Sequence, residues 1–248
     1  MKAMILAAGL GTRLRPLTND RPKALVEVAG KTLLEISLRR LRECGVCDVV
    51  INVHHFGDLV VDYLSQNANF GMNIAISREE DVLLDTGGGL KKAAWFFLAD
   101  NNDEPFLLHN VDVISTIDLQ RMLEFHNEQG ALATLAVQVR KSSRYLIFDE
   151  HNELCGRQKG SDNAPEIARA SKKSHPLAFS GIHVISPKLL PQISETGVFS
   201  IIDTYMRLAG QGGKIAAFRA DEYYWRDLGK PENISQAVVD VEQGRVRI

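Results

Sequence analysis

Residues able to hold phosphate are concentrated near the start of the chain, in Ala7-Ala8-Gly9-Leu10-Gly11-Thr12-Arg13 and in Pro22-Lys23. Glycine lets a backbone turn sharply and approach a ligand closely, so Gly9 and Gly11 leave N–H groups of this stretch able to face an anion. Arg13 offers a planar fork that matches two phosphate oxygens at once. Lys23 is a compact point charge behind Pro22, whose ring restricts the backbone. Together these residue types predict a polyphosphate site. Asp112 is a further candidate, because it ends the apolar run 106–113. A carboxylate there is costly unless paired or bound to a metal, which makes it a candidate metal ligand.

Neither of the common phosphate loops fits. The Walker pattern requires Gly, four residues and Gly-Lys-Ser/Thr, and the chain has no such string. The dinucleotide fingerprint requires a third glycine where Leu14 stands, and a helix where two prolines follow.

The elements that must carry these residues are legible from periodicity. The short apolar run 2–6 reads as a buried first strand, which puts the phosphate-binding stretch at its carboxyl end. Further strands are expected at 24–28, 49–53, 72–77, 106–113, 131–139, 177–187, 214–219 and 223–226, with a hairpin formed by 145–148 and 153–157. Helices are expected at 32–44, 58–67, 90–98, 118–129 and 231–242, and after Ser200, where Asp203 completes a variant of the capping box. Continuously apolar strands such as 49–53 point to burial on both faces. Alternating strands and helices predict an α/β class with a mostly parallel sheet and helices on both faces.

Four other stretches carry a possible chemistry. Gly87-Gly88-Gly89, ahead of the helical run from Leu90, allows the backbone to lie flat against a planar ring, with a helix N-terminus adding partial positive charge. His54-His55 follow the strand 49–53 at the edge where open α/β sheets bind ligands, and read either as hydrogen-bonded structure or as a substrate contact. The polar segment 158–176 reads as a mobile loop near an acceptor site, with Lys159 either a phosphate contact or a solvated side chain. Cys44-Gly45-Val46-Cys47 has redox spacing, but it lies where a helix ends at Gly45, whereas a reactive pair needs a helix N-terminus.

The 248 residues suffice for one substantial core, and a single domain over 1–248 is expected. With 29 basic and 31 acidic residues, the net charge of −2 gives no footprint for nucleic acid or a membrane surface. Three cysteines do not form a secreted disulfide framework, no apolar run reaches membrane-spanning length, and the opening strand is not a cleavable signal. A cytoplasmic address is expected.

The opening is similar to that of the sugar-1-phosphate nucleotidyltransferases, also called nucleoside-diphosphate-sugar pyrophosphorylases. Gly9 to Arg13 match their Gly-x-Gly-Thr-Arg, Pro16-Leu17-Thr18 their Pro-Leu-Thr, and Pro22-Lys23-Ala24-Leu25-Val26 their Pro-Lys and following apolar residues. The later motifs Asp85-Thr86-Gly87-Gly88, Asp112, Ser180-Gly181 and Asp227-Leu228-Gly229-Lys230-Pro231 extend the resemblance along most of the chain. It looks closest to the single-domain members that act on N-acetylmuramate, mannose or heptose 1-phosphate. The resemblance implies a Rossmann-like, doubly wound fold. The implied reaction moves a nucleoside monophosphate from a nucleoside triphosphate to a sugar 1-phosphate, releasing pyrophosphate, with Mg²⁺ on Asp112 and Asp227. It implies catalytic roles for Arg13, Lys23, Asp112 and Asp227. Nucleotide contacts would come from Ala7, Ala8, Gly9, Gly11, Thr12, Arg13, Lys23, Asp85, Thr86, Gly87 and Gly88, and sugar contacts from Asn110, Ser180 and Gly181. Two positions depart from the pattern: Val111 stands where the family has Gly, which bears on the sugar pocket, and Lys230 replaces Thr. A phosphocholine cytidylyltransferase and a non-catalytic nucleotide-binding subunit are the rival readings. Base, sugar and oligomeric state stay open.

Overall fold

The computed structural model describes residues 1–99, 103–160 and 163–248. The chain begins with β1 (Lys2–Leu6). A hairpin of β2 (Glu27–Val28) and β3 (Lys31–Thr32) precedes α1 (Leu33–Glu43), β4 (Asp48–Val53), α2 (Gly57–Gln66) and β5 (Asn73–Arg78). Next come α3 (Asp85–Lys92), α4 (Ala94–Leu98), β6 (Phe106–Asn110), β7 (Val113–Ser115), α5 (Leu119–Gln129) and β8 (Ala133–Gln138). The remainder is β9 (Arg144–Asp149), β10 (Leu154–Lys159), β11 (Glu166–Ile167), β12 (Ser174–Ile185), α6 (Ile201–Gly210), β13 (Ile215–Arg219), β14 (Trp225–Asp227) and α7 (Pro231–Glu242).

One ten-stranded sheet runs β11-β10-β9-β12-β6-β1-β4-β5, with β8 and β13 joined to it through β12. The strands β6, β1, β4 and β5 are mutually parallel, while the long β12 runs antiparallel to β6, β8 and β9. Side chains alternate across a strand, and both faces of this sheet are apolar. Ala3, Ile5, Val49 and Ile51 pack with Leu38, Leu41, Val60, Met122 and Ala237, beneath α1, α2, α5 and α7. Met4, Val50 and Leu108 pack on the other face with Leu90, Phe97, Ile201 and Tyr205 of α3, α4 and α6. The doubly wound α/β class is therefore present.

From β1 the chain winds outward through β4 to β5, then returns across the sheet to enter β6 on the opposite side of β1. Such a reversal leaves a crevice beyond the carboxyl ends of the two central strands. Leu6 and Asn110, the last residues of β1 and β6, are register partners at its floor.

Several expected elements differ. Residues 24–28 are not one strand: Lys23–Leu25 is a single 3-10 turn, and the chain reverses through Ala29 and Gly30. Both residues have positive φ, the geometry of a tight two-residue hairpin. The run 106–113 breaks at Val111-Asp112, and β7 leaves the main sheet to pair with β14. The three glycines lie inside α3, not ahead of it, and the helical run is interrupted at Ala93. Among its described residues, segment 158–176 is partly sheet and otherwise loop: its start completes β10, β11 lies within it, and β12 begins at Ser174. Ser161 and Asp162 lie outside the described residues. The N–H of Gly160 donates to the Ser143 carbonyl at 2.8 Å, so the segment does border the cavity described below. Gly45, with φ of 82°, directly follows the C-cap of α1, as expected of a helix-stop glycine, and the three cysteines are free thiols.

Candidate active site

Two neighbouring cavities open in the crevice. The first, about 320 Å³, is lined by Ala8, Gly9, Lys23, Asp85, Thr86 and Asp112 among others. The second, about 800 Å³, is lined by Arg13, Ser180, Gly181, Trp225 and Asp227, and Asn110 lines both. The residues expected at the nucleotide thus divide between a first cavity and more distant positions. All those expected at the sugar stand in the second.

A buried hydrogen-bond chain holds the wall of the first cavity. The N–H of Ala7 donates to Asn52 Oδ1 at 2.8 Å, Asn52 Nδ2 donates to Glu79 Oε1 at 2.7 Å, and the N–H of Leu84 donates to Glu79 Oε2 at 2.8 Å. It joins the ends of β1, β4 and β5 to the start of α3. Gly89 permits the approach, since a Cβ there would lie 2.8 Å from Asn52 Nδ2 and 2.9 Å from Glu79 Oε1. In the loop after β1, Gly11 is left-handed (φ +63°), and Thr18 Oγ1 donates to its carbonyl at 2.9 Å. Thr12 and Arg13 then form a 3-10 turn that carries Arg13 to the second cavity instead of the first.

Asp85 and Thr86 line the first cavity, and Gly87 and Gly88, which follow them directly, pack against Phe199. Their N–H groups donate to the Phe199 carbonyl at 3.0 and 3.3 Å, and a Cβ on Gly87 would meet the Phe199 ring at 2.4 Å. The flat glycine surface expected to meet a ligand ring is covered by a ring of the chain's own. Thr86 belongs to the first turn of α3 together with Asp85. Thr86 Oγ1 also accepts from the Ile201 N–H at 3.0 Å, tying α3 to α6.

Asp112 sits in the turn between β6 and β7, where its carboxylate accepts from Lys23 Nζ. The pair is mostly buried, with 12% and 14% of the side chains exposed. β14 pairs antiparallel with β7, placing Asp227 opposite Val113, and the Leu228 N–H donates to the Asp112 carbonyl at 2.8 Å. Two acids 115 positions apart therefore come off adjacent, hydrogen-bonded strands. Asp227 Oδ1 accepts the Gly229 N–H at 2.7 Å, and both it and Arg13 Nη2 lie within 3 Å of the point a Gly229 Cβ would occupy. β14 is anchored from behind by the fully buried Asp240 of α7, which accepts from Tyr224 at 2.6 Å and pairs with Arg226 at 2.7 Å. The Tyr224 hydroxyl and Arg226 hold that carboxyl below the usual range.

The departures from the family pattern fall outside the second cavity. Val111 lines the first cavity rather than the second, and Lys230 is exposed beside Glu232. His54 Nδ1 is hydrogen-bonded to the Glu79 carbonyl at 2.5 Å, and with His55 it lines a separate cleft. Lys159 is exposed at the end of β10.

A family model described as Nucleotidyl transferase matches residues 2–244. The chain belongs to the nucleotidyl transferase family. It is 35% identical over 237 residues to N-acetylmuramate alpha-1-phosphate uridylyltransferase of Caulobacter vibrioides, covering 93% of this chain and 92% of that one. It is 32% identical to mannose-1-phosphate guanylyltransferase 1 of Arabidopsis thaliana, covering 94% of this chain but only 62% of that protein. Among solved structures, UDP-glucose pyrophosphorylase from Acinetobacter baumanii superposes with a TM-score of 0.78 at 18% identity, covering 99% of this chain and 94% of that one. At that identity the likeness speaks to the fold.

The second cavity of this nucleotidyl transferase is also lined by residues that its motifs did not reveal. Arg140 lies 3.6 Å over the Trp225 ring and donates to the Phe179 carbonyl at 2.6 Å, while Trp225 Nε1 donates to the Ser180 carbonyl at 2.7 Å. Burial lowers the Arg140 pKa, and Asp227 works against the shift. Neither residue stands in a motif, and only the cation–aromatic chemistry of Arg and Trp marks them, a signal too common to read without coordinates.

Proposed function

We propose that the chain transfers a nucleoside monophosphate from a nucleoside triphosphate to a sugar 1-phosphate, giving a nucleoside-diphosphate sugar and pyrophosphate. The observation that carries this reading is the meeting of two cavities at Asn110, with Asp112 lining one, Asp227 the other, and the strands they flank, β7 and β14, hydrogen-bonded together. The first cavity, with Lys23, takes the triphosphate, and the second takes the acceptor. The membership of the chain and the 35% identity to a sugar-1-phosphate uridylyltransferase support the same reaction class.

Chemically, an oxygen of the acceptor phosphate forms a bond to the α-phosphorus as the bond from that phosphorus to the β-phosphate oxygen breaks. The attacking phosphate is largely ionised near neutral pH, so no general base is required. Catalysis then consists of alignment and charge neutralisation. Lys23 exchanges its contact with Asp112 for triphosphate oxygens, and Arg13 offers its fork beside Asp227 where the cavities meet. Asp112 and Asp227 suit Mg²⁺: they are hard oxygen donors from adjacent strands, and this ion is held by one or two carboxylates together with substrate phosphates. When bound, it supplies charge neutralisation to the phosphates.

The phosphocholine reading finds less support. A quaternary ammonium needs an open aromatic face, and that of Trp225 is covered by Arg140. A binding-only subunit has no need of both acids. Pyrophosphate release measured across four nucleoside triphosphates and a panel of sugar 1-phosphates tests the proposal. Release with none of them would refute it.

A further inference from the structure

We propose, resting on the transfer reaction above, that Asn52 and Glu79 are positioning residues: together they set the spacing of two walls of the first cavity, and with it the affinity for the nucleoside triphosphate. Glu79 is only 2% exposed, and among the described residues no cation pairs with its carboxylate. Burying such a charge is costly unless hydrogen bonds replace the lost water. Both oxygens are taken, Oε1 by the Asn52 amide and Oε2 by the Leu84 N–H. Leu84 is the N-cap of α3, so the carboxylate also faces the positive end of that helix.

Hydrogen-bond polarity requires an acid at this place. The buried chain of bonds starts at one N–H, that of Ala7, and finishes at another, that of Leu84. Two amide side chains set between two donors always leave one donor facing another, whichever way they are turned. A single acceptor-only group removes the conflict. Glu79 is that group, and it holds Asn52 with Oδ1 toward Ala7 and Nδ2 toward itself. The Glu79 backbone is fixed as well. Its N–H donates to the Val53 carbonyl at 2.8 Å, and its carbonyl, which can only accept, takes the Nδ1 proton of His54.

The consequence falls on the nucleotide half of the site. With its N–H turned inward to Asn52, Ala7 anchors the residues that follow it, and Ala8 and Gly9 line the first cavity. At the other end Leu84 directly precedes Asp85 and Thr86, which line the same cavity. The distance between the loop after β1 and the start of α3 is therefore set by two side chains. The second cavity is walled by other elements, with Ser180 and Gly181 from β12 and Trp225 and Asp227 from β14.

The test is isothermal titration calorimetry of the full chain with UTP, GTP, CTP and dTTP in the presence of Mg²⁺, followed by the variants with the nucleotide that the wild type binds most tightly. Glu79→Gln sets two amides between two donors and should weaken binding about tenfold, the value of one hydrogen bond to a charged group. The Asn52→Asp, Glu79→Gln double variant exchanges acid and amide, so every donor again meets an acceptor, and it should regain most of that loss. In steady-state kinetics, Glu79→Gln should raise the KM for the nucleotide and leave the KM for the sugar 1-phosphate unchanged. Should Glu79→Gln not fold, the double variant decides: near-wild-type affinity supports the proposal and weak binding defeats it. Undiminished affinity in Glu79→Gln, a double variant as weak as the single one, two KM values that rise together, or no nucleotide bound by the wild type would each overturn the proposal. A wild type that binds nucleotide but releases no pyrophosphate with any sugar 1-phosphate counts against the transfer reaction alone, and the affinities then decide the role of the pair.

Discussion

Acidification should unfold this protein in a window where its carboxylates are still ionised, because three histidines are buried in their neutral form. Desolvation lowers the pKa of His109 and His126 from 6.5 to about 4. His183 falls to about 3, through burial first and the nearby His109 second. His109 is also depressed by Arg40, whereas its bond to the Asn110 carbonyl and Asp112 act in the opposite direction. Folded pKa values below the unfolded ones mean that the unfolded chain binds more protons between pH 6.5 and about 4. The neutral histidines therefore support the fold fully above pH 6.5 and progressively less as the pH falls toward 4. At pH 5 each contributes a loss of about 2 kcal/mol, or about 6 kcal/mol together, comparable with the whole stability of many domains. The assay is urea unfolding at half-unit steps from pH 7.5 to 4.5. The dependence should approach about 4 kcal/mol per pH unit near pH 5, and fall by about a third in a His126→Gln variant. A slope below about 1 kcal/mol per unit, or one unchanged in the variant, would refute the assignment of neutral buried imidazoles.

Asp112→Asn and Asp227→Asn should each abolish pyrophosphate release while circular dichroism stays native, and near-normal release by both with added Mg²⁺ would remove the metal assignment. Lys23→Ala should lower kcat by about 10²–10³-fold, the usual cost of deleting one electrostatic contact to a transition state. A lowered Tm with an intact rate would make Lys23 a purely structural residue. Gly87→Ala should cost about 1–3 kcal/mol, because the new methyl meets the Phe199 ring at 2.4 Å and the Ile201 nitrogen at 2.9 Å. Calorimetry should record this as a Tm lower by several degrees, and an unchanged Tm would mean that the α3–α6 contact yields freely.

Much of the architecture was legible because local chemistry specifies it. The apolar run 2–6 is a central strand, Ser200 and Asp203 form the expected capping box, and α7 starts at Pro231 as read. The errors fell where a partner distant in sequence overrides local preference. Apolar residues 106–113 read as one strand, but pairing of β7 with β14 pulls the chain out of the sheet at Asp112. The glycines after Thr86 signalled a close approach, and one group that approaches them, the Phe199 ring, lies more than a hundred positions away. Segment 158–176 is polar and turn-rich, yet part of it pairs at the sheet edge, where one face meets water and polarity does not exclude a strand.

By itself the sequence determined most of the order of strands and helices, the glycine-rich opening with its two cations, and the acids worth watching. Each of these depends on neighbours a few positions apart, through periodicity, capping or the cost of burying a charge. The tertiary structure decided that Asp112 and Asp227 flank adjacent strands, that Arg13 lines the second cavity, and that Arg140 stacks on Trp225. Those facts depend on chain crossings that bring together residues about 100 positions apart, and no local pattern encodes which remote surface a side chain will meet.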